Sequence, residues 1–181
     1  MLPFPHSEAA PPVPRDAACR RTDPGKILQG DPMTNTAFDC RMCGHCCEGK
    51  GGIVVSPSDL QRLCDALRMS GDNVIAAYGE HVNGKLKIRC GDDGYCIFFR
   101  QGQGCIVHEN KPSICKAWPF FRGNMEDPES LALAKDFCPG INPRISHKDF
   151  VREGMSYLEQ ERLLASDART EANALILPNR R

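Results

Sequence analysis

Apolar positions along the chain fall into short separate stretches. Leu60, Leu63, Cys64 and Leu67 recur at i, i+3, i+4 and i+7, the spacing of one buried helix face. Just before them, Ser56-Pro57-Ser58-Asp59 offers an N-cap with Pro at the first helical position, where a missing N–H is tolerated. The pattern predicts a helix there, with a short strand at 53–55 ahead of it. A second short helix is expected over 72–78. Residues 85–89, 95–99 and 105–107 read as short strands separated by Gly-rich turns. Ser146 is placed to cap a last helix running to about residue 165, with Phe150, Val151, Met155 and Leu158 as its apolar face. On the first helix, Cys64 falls within the apolar stripe and is expected to serve the core.

The two ends lack such periods. Half of the 14 Pro lie within residues 1–32, which are expected to stay extended or disordered. The change of character near Met33 also allows translation to begin there. The expected organisation is a disordered Pro-rich segment over 1–37, a cysteine-rich domain over 38–141, a C-terminal helix within 142–165 and a flexible tail over 166–181. With 181 residues there is room for one ordinary domain. The expected fold class is α+β: a small, loop-rich single domain with short strands and a few helices, metal-stabilised through its 11 Cys.

Charge narrows the partners. Lys and Arg number 23, as do Asp and Glu, so no global field draws nucleic acid or an anionic membrane. No apolar run approaches the ~18 residues of a membrane span. The opening Met1-Leu2-Pro3-Phe4-Pro5-His6 lacks a basic region and a continuous apolar core, so a secretory signal is not expected and the location is read as cytoplasmic. In a reducing compartment, the 11 Cys point to metal or redox work before disulfides.

Eight of these thiols form a pattern. Cys40, Cys43, Cys46 and Cys47 make C-x2-C-x2-C-C in a Gly-rich loop, and Cys96, Cys105, Cys115 and Cys138 follow at wider intervals. Two-residue spacing lets successive thiolates of one tight loop reach a common centre, as in zinc knuckles and bacterial ferredoxins. Adjacent Cys46 and Cys47 would point to opposite sides of an extended segment, which favours two centres, or one centre with spare redox thiols. Cys43-Gly44-His45-Cys46 copies a disulfide-isomerase dithiol, but two further thiols crowd it and the βαβ setting is missing. The first interval has two residues, not the three of radical enzymes that cleave S-adenosylmethionine. His45 and His108 are expected beside the ligands, not among them. Arg41, Lys50, Lys111, Lys116 and Arg122 lie near the thiols in sequence and could offset thiolate charge, although a solvated surface is the default for each. Trp118, in Ala117-Trp118-Pro119-Phe120-Phe121, is expected to pack where the chain turns back after Cys115. No Ser-His-Asp set, P-loop, dinucleotide Gly motif or H-E-x-x-H helix is present.

These blocks resemble the YkgJ-like CxxCxxCC cysteine-cluster family, described as a zinc- or iron-chelating domain. The family's opening is matched from Phe38 to Gly49 and its Ser-x-x-Asp helix start by Ser56 and Asp59. A second block is matched by Cys96 to Phe99, Cys105 to Val107, Lys111 to Cys115 and Trp118 to Phe120, and a closing C-x-G by Cys138 to Gly140. Lys111 and Lys116 stand where Arg is usual. The resemblance implies that the eight patterned Cys bind metal and that Cys19, Cys64 and Cys90 do not. A similar cluster in a flagellin lysine methylase suggests that some relatives serve protein-modifying enzymes. The expected cofactor is an iron-sulfur cluster, of the four-iron kind, or zinc. The expected role is electron transfer or redox sensing, as an iron-sulfur oxidoreductase with a protein redox partner. The alternatives are a structural zinc module for protein interaction and a methylase-like part of a modifying enzyme.

Overall fold

A computed structural model describes residues 36–49 and 52–177. Cys19, Lys50, Met33 and most of the Pro-rich segment lie outside them. Ala37, expected to belong to that segment, is instead 2% exposed, and its N–H donates to Glu153 Oε2 at 2.7 Å. The described residues form a small α+β domain, as expected.

Helix α1 (Pro57–Leu67) starts where the sequence places it. The Ser56 hydroxyl accepts from Asp59 N and the Asp59 carboxylate accepts from Ser56 N, a complete capping box. Leu63 and Leu67 are buried, whereas Leu60 and Cys64 are half-buried against the same core. Helix α2 (Gly71–Tyr78) leads into the hairpin of β1 (Gly79–Val82) and β2 (Lys85–Ile88). Its turn is Asn83-Gly84, with φ of 52° and 75°, the left-handed pair that a two-residue hairpin needs. Residues 53–55 line the other edge of β2 through Val55 N to Leu86 O and Ile88 N to Ile53 O, both 2.9 Å. The expected strand there is thus a single bridge at Val54 flanked by ladder bonds.

The expected strands at 95–99 and 105–107 are shorter and shifted, as β3 (Phe99–Arg100) paired with β4 (Gly104–Cys105). Turns take up the difference. Three further helices carry no long apolar period: α3 (Ser113–Ala117), α4 (Arg122–Glu126) and α5 (Pro128–Phe137). The first two are only five residues long, and α5 buries only Leu131 and Ala134. The last helix, α6 (His147–Gln160), is capped by Ser146 as predicted but stops five residues early. Its Gly154 lies against Phe120, whose Cδ1 would be 2.5 Å from an added Cβ.

Beyond α6 the chain does not fray as expected. Ala172 and Leu175 are buried, and Lys85 Nζ donates to Glu171 O at 2.7 Å and to Asn173 Oδ1 at 2.9 Å. The stretch is too short to show a period, yet it covers an open core edge. Two apolar clusters result. One gathers α3 to α6 with Ala37, Ile141 and Leu175; the other gathers α1, α2, Ile88, Phe98 and Val107. Ile53 and the thiols lie where the two meet.

Candidate metal centre

The C-x2-C-x2-C-C loop is pinned at both ends. Asp39 N donates to Gly140 O at 2.9 Å and Asn142 N to Ala37 O at 3.0 Å, which ties the entry of the loop to the segment carrying Cys138. On the far side Cys96 N donates to Cys47 O at 2.7 Å and Gly49 N to Gly94 O at 3.0 Å, which ties its exit to the segment carrying Cys96. Two glycines permit this closeness. Gly44 has φ of 88° and an added Cβ would overlap the Phe99 ring; an added Cβ on Gly140 would overlap Asp39 O.

All eight patterned thiols line one cavity of about 690 Å³: Cys40, Cys43, Cys46, Cys47, Cys96, Cys105, Cys115 and Cys138. They arrive from both halves of the domain. Cys115 and Cys138 belong to the cluster of α3 to α6, whereas Cys47, Cys96 and Cys105 belong to that of α1 and α2. Cys64 and Cys90 are not on the lining.

Cys46 and Cys47 do not diverge as an extended segment would require. Residues His45–Cys47 form a 3-10 helix, so both adjacent thiols turn toward the same cavity. The Cys47 thiol donates to Cys46, which lowers the Cys46 pKa from its ordinary 9.0 to about 6 with help from Lys111 and His45 and against the cost of burial. The same bond, then burial, pushes Cys47 upward. Burial also raises Cys96 to about 11, raises Cys105, and raises Cys115 well above its ordinary value. Within the cavity the negative form is thus favoured at Cys46 and disfavoured at Cys47, Cys96, Cys105 and Cys115. Among the described residues, no three His, Cys, Asp or Glu side chains are already gathered to hold one ion. The donor set nevertheless fits a soft metal in chemistry, since thiolate sulfur suits zinc and iron-sulfur centres alike. With metal–sulfur bonds of ~2.3 Å, the space accommodates more than one ion.

The histidines and cations sort themselves by contact. His45 Nδ1–H donates to Phe137 O at 2.8 Å and its ring leans on Phe137, so it fastens the loop to the end of α5 next to Cys138. His108 lines the cavity, and burial lowers its pKa. Lys111 also lines it, and its charge is felt by Cys46, Cys105 and Cys115. Arg41 borders the cavity too but is paired with Asp39 at 3.3 Å, whereas Arg122 is exposed and Lys116 borders a different pocket. Lys85 and Lys87 reach the cavity from β2, which only the pairing of the hairpin could have revealed. Trp118 does more than pack: its Nε1–H donates to Cys138 Sγ at 3.4 Å while its ring meets Phe121 and Phe137 edge-on.

One positioning residue lies further back. Asp59 is 1% exposed, and besides capping α1 it accepts from Ser113 N at 2.9 Å and Ser113 Oγ at 2.7 Å, and pairs with Arg62. It thereby caps α3 as well, two residues before Cys115. The Ser-x-x-Asp signal identifies the first cap; nothing in the sequence spacing announces the second.

Among the described residues no helix is long and apolar enough to cross a membrane. Comparison with curated proteins and with solved structures gives no match. Residues 39–139 match the CxxCxxCC family model, titled "Putative zinc- or iron-chelating domain". The matched stretch exceeds half of the 181 residues and contains every thiol that lines the cavity, so the chain belongs to the CxxCxxCC family.

Proposed function

We propose that the eight cavity thiols hold an iron-sulfur centre and that the protein transfers electrons or senses redox state. The observation that carries this reading is the convergence of all eight on one cavity, five of them from the two apolar clusters and Cys40, Cys43 and Cys46 from the loop. A cluster bound there supplies reversible one-electron chemistry. The chain's own residues shape the conditions for it. Trp118, Phe121, Phe137 and Phe98 wall the cavity with apolar surface that restricts water, and the Trp118 N–H directed at Cys138 sulfur offsets thiolate charge. Lys111 supplies a cation near three of the thiols. Closed structural zinc sites are the second reading, favoured by the way the thiols join the two clusters, because a metal there would hold the domain together.

Iron, zinc and acid-labile sulfide per chain, measured on anaerobically purified protein together with its visible spectrum, separate the two. Near-stoichiometric iron and sulfide with absorption that bleaches on reduction supports the redox centre. Colourless protein with stoichiometric zinc overturns it in favour of the structural module.

A further inference from the structure

Cys90 stands outside the cavity but directly beside one of its thiols. Gly91 N donates to Tyr95 O at 2.7 Å and Ile97 N donates to Arg89 O at 3.1 Å, and between these bonds lies the antiparallel bridge Cys90–Cys96. Both bonds belong to neighbours of the pair and none to the pair itself. Cys90 and Cys96 therefore occupy a non-hydrogen-bonded position, where opposed Cα atoms lie ~4.5 Å apart and the side chains share a face. A disulfide spans Cα separations of ~4.4–6.8 Å, so the backbone already holds the two residues at bridging distance. The intervening turn is itself braced, by Gly94 N to Gly91 O and by Tyr95 N to Asp93 Oδ1, both 3.0 Å. Closing it costs little additional chain entropy.

The two thiols differ in access. Cys96 is 6% exposed and lines the cavity, whereas Cys90 is half-buried, off the lining, with its S–H donating to Gly49 O at 3.0 Å. Cys64 sits on α1, packed against Leu-rich core.

We infer that Cys90 and Cys96 form a redox-active dithiol whose oxidant is a hydroperoxide. Cys90 sulfur, the more accessible, attacks the peroxide oxygen; the O–O bond breaks, the alkoxide leaves and takes up the thiol proton as alcohol, or as water when the oxidant is hydrogen peroxide. Cys90 is then a sulfenic acid. Cys96 sulfur attacks it, the S–S bond forms, and the departing hydroxide takes the Cys96 proton, or a solvent proton where Cys96 had been a metal-bound thiolate, and leaves as water. In sum two thiols lose two electrons to the O–O bond, giving one disulfide, one alcohol and one water. The product withdraws Cys96 from the cavity. That consequence for a bound metal rests on the proposed function, whereas the disulfide does not.

The test uses the full chain as purified, with its metal counted beforehand. Hydrogen peroxide is titrated in, free thiols are alkylated, and peptides are mapped by mass spectrometry while metal release is followed with a chromogenic chelator. The expected result is a Cys90–Cys96 cross-link ahead of any other pair, with metal released in step. Cys90→Ser should retain the starting metal content, lose the cross-link and lose the coupled release; Cys64→Ser should behave as the wild type. Cys90 staying reduced while other thiols pair overturns the dithiol. Equal metal release from wild type and Cys90→Ser overturns its link to the cavity. If the purified chain carries no metal, the peptide map still decides the disulfide, and it is the metal-binding reading that fails.

Discussion

Asp59 allows a prediction that can be worked from its contacts. Its two oxygens serve four donors: Ser56 N on Oδ2, and Ser113 N, Ser113 Oγ and Arg62 on Oδ1. Replacement by Asn keeps one oxygen, which can still meet the three donors on Oδ1, but sets an amide N–H₂ against Ser56 N–H and removes the charge facing Arg62. Removing one partner of a buried pair costs about 3–5 kcal/mol when the other is left uncompensated. Arg62 retains some solvent contact, 33% for its side chain, so the lower part of that range applies to Asn and the upper part to Ala, which loses all four bonds, among them half of the α1 capping box and the contacts to Ser113. With a urea slope of about 2 kcal/mol per molar, Asp59→Ala should lower the unfolding midpoint by about 2.5 M and Asp59→Asn by about 1.5 M. A double variant Asp59→Asn with Arg62→Met should recover part of the loss, because it removes the stranded cation. Urea titrations followed by far-UV circular dichroism at fixed metal loading measure all three. A midpoint shift below about 0.3 M for Asp59→Ala, or no recovery in the double variant, would refute the reasoning that this carboxylate joins α1 to α3 as a buried charged clamp.

Other perturbations read different parts of the site. Cys43→Ser and Cys115→Ser should each lose bound metal and stability, while Cys64→Ser and Cys19→Ser should retain metal, as judged by metal content after gel filtration. Gly44→Ala combines a left-handed backbone with overlap on Phe99, and should destabilise by about 2–4 kcal/mol in thermal unfolding. Trp118→Phe keeps the ring contacts but removes the N–H to Cys138 sulfur, so the reduction potential of a bound cluster should fall as thiolate charge is less well offset, while the melting temperature changes little. In the chelator-treated protein two thiols oppose each other with pH. Cys96, raised from 9.0 to about 11, keeps its proton when the unfolded chain has released its own, so its contribution is complete below about pH 9 and is lost on rising toward 11. Cys46, lowered to about 6, adds stability as pH rises from 6 to 9. Urea midpoints against pH should therefore show a smaller alkaline fall in Cys96→Ser than in the wild type.

Much of the site was legible because its signals are local. The C-x2-C-x2-C-C loop, the Ser56 and Ser146 caps and the apolar stripe of α1 depend on residues within a few positions of one another, and short-range geometry makes them what they are. The α+β class follows from the same short periods. The eight patterned Cys all line the one cavity, and Cys64 and Cys90 lie off it.

Other features depend on tertiary structure because they join residues far apart in the chain. The 3-10 turn that sends Cys46 and Cys47 to one side is held by pairing of the loop with Gly94 and Cys96, not by the intrinsic preference of two adjacent cysteines. The packed segment at 172–175 is stabilised by Lys85 from the hairpin, a contact that no periodicity encodes. Asp59 is a helix cap in sequence and a clamp on α3 only in space, 54 residues from Ser113. The sequence by itself determined the C-x2-C-x2-C-C loop, its helix caps and the family pattern, since residue type and loop spacing are properties of neighbouring residues. Only the fold decided that all eight face one cavity and that Cys90 lies opposite Cys96, because backbone hydrogen bonds and apolar burial between distant segments set those distances.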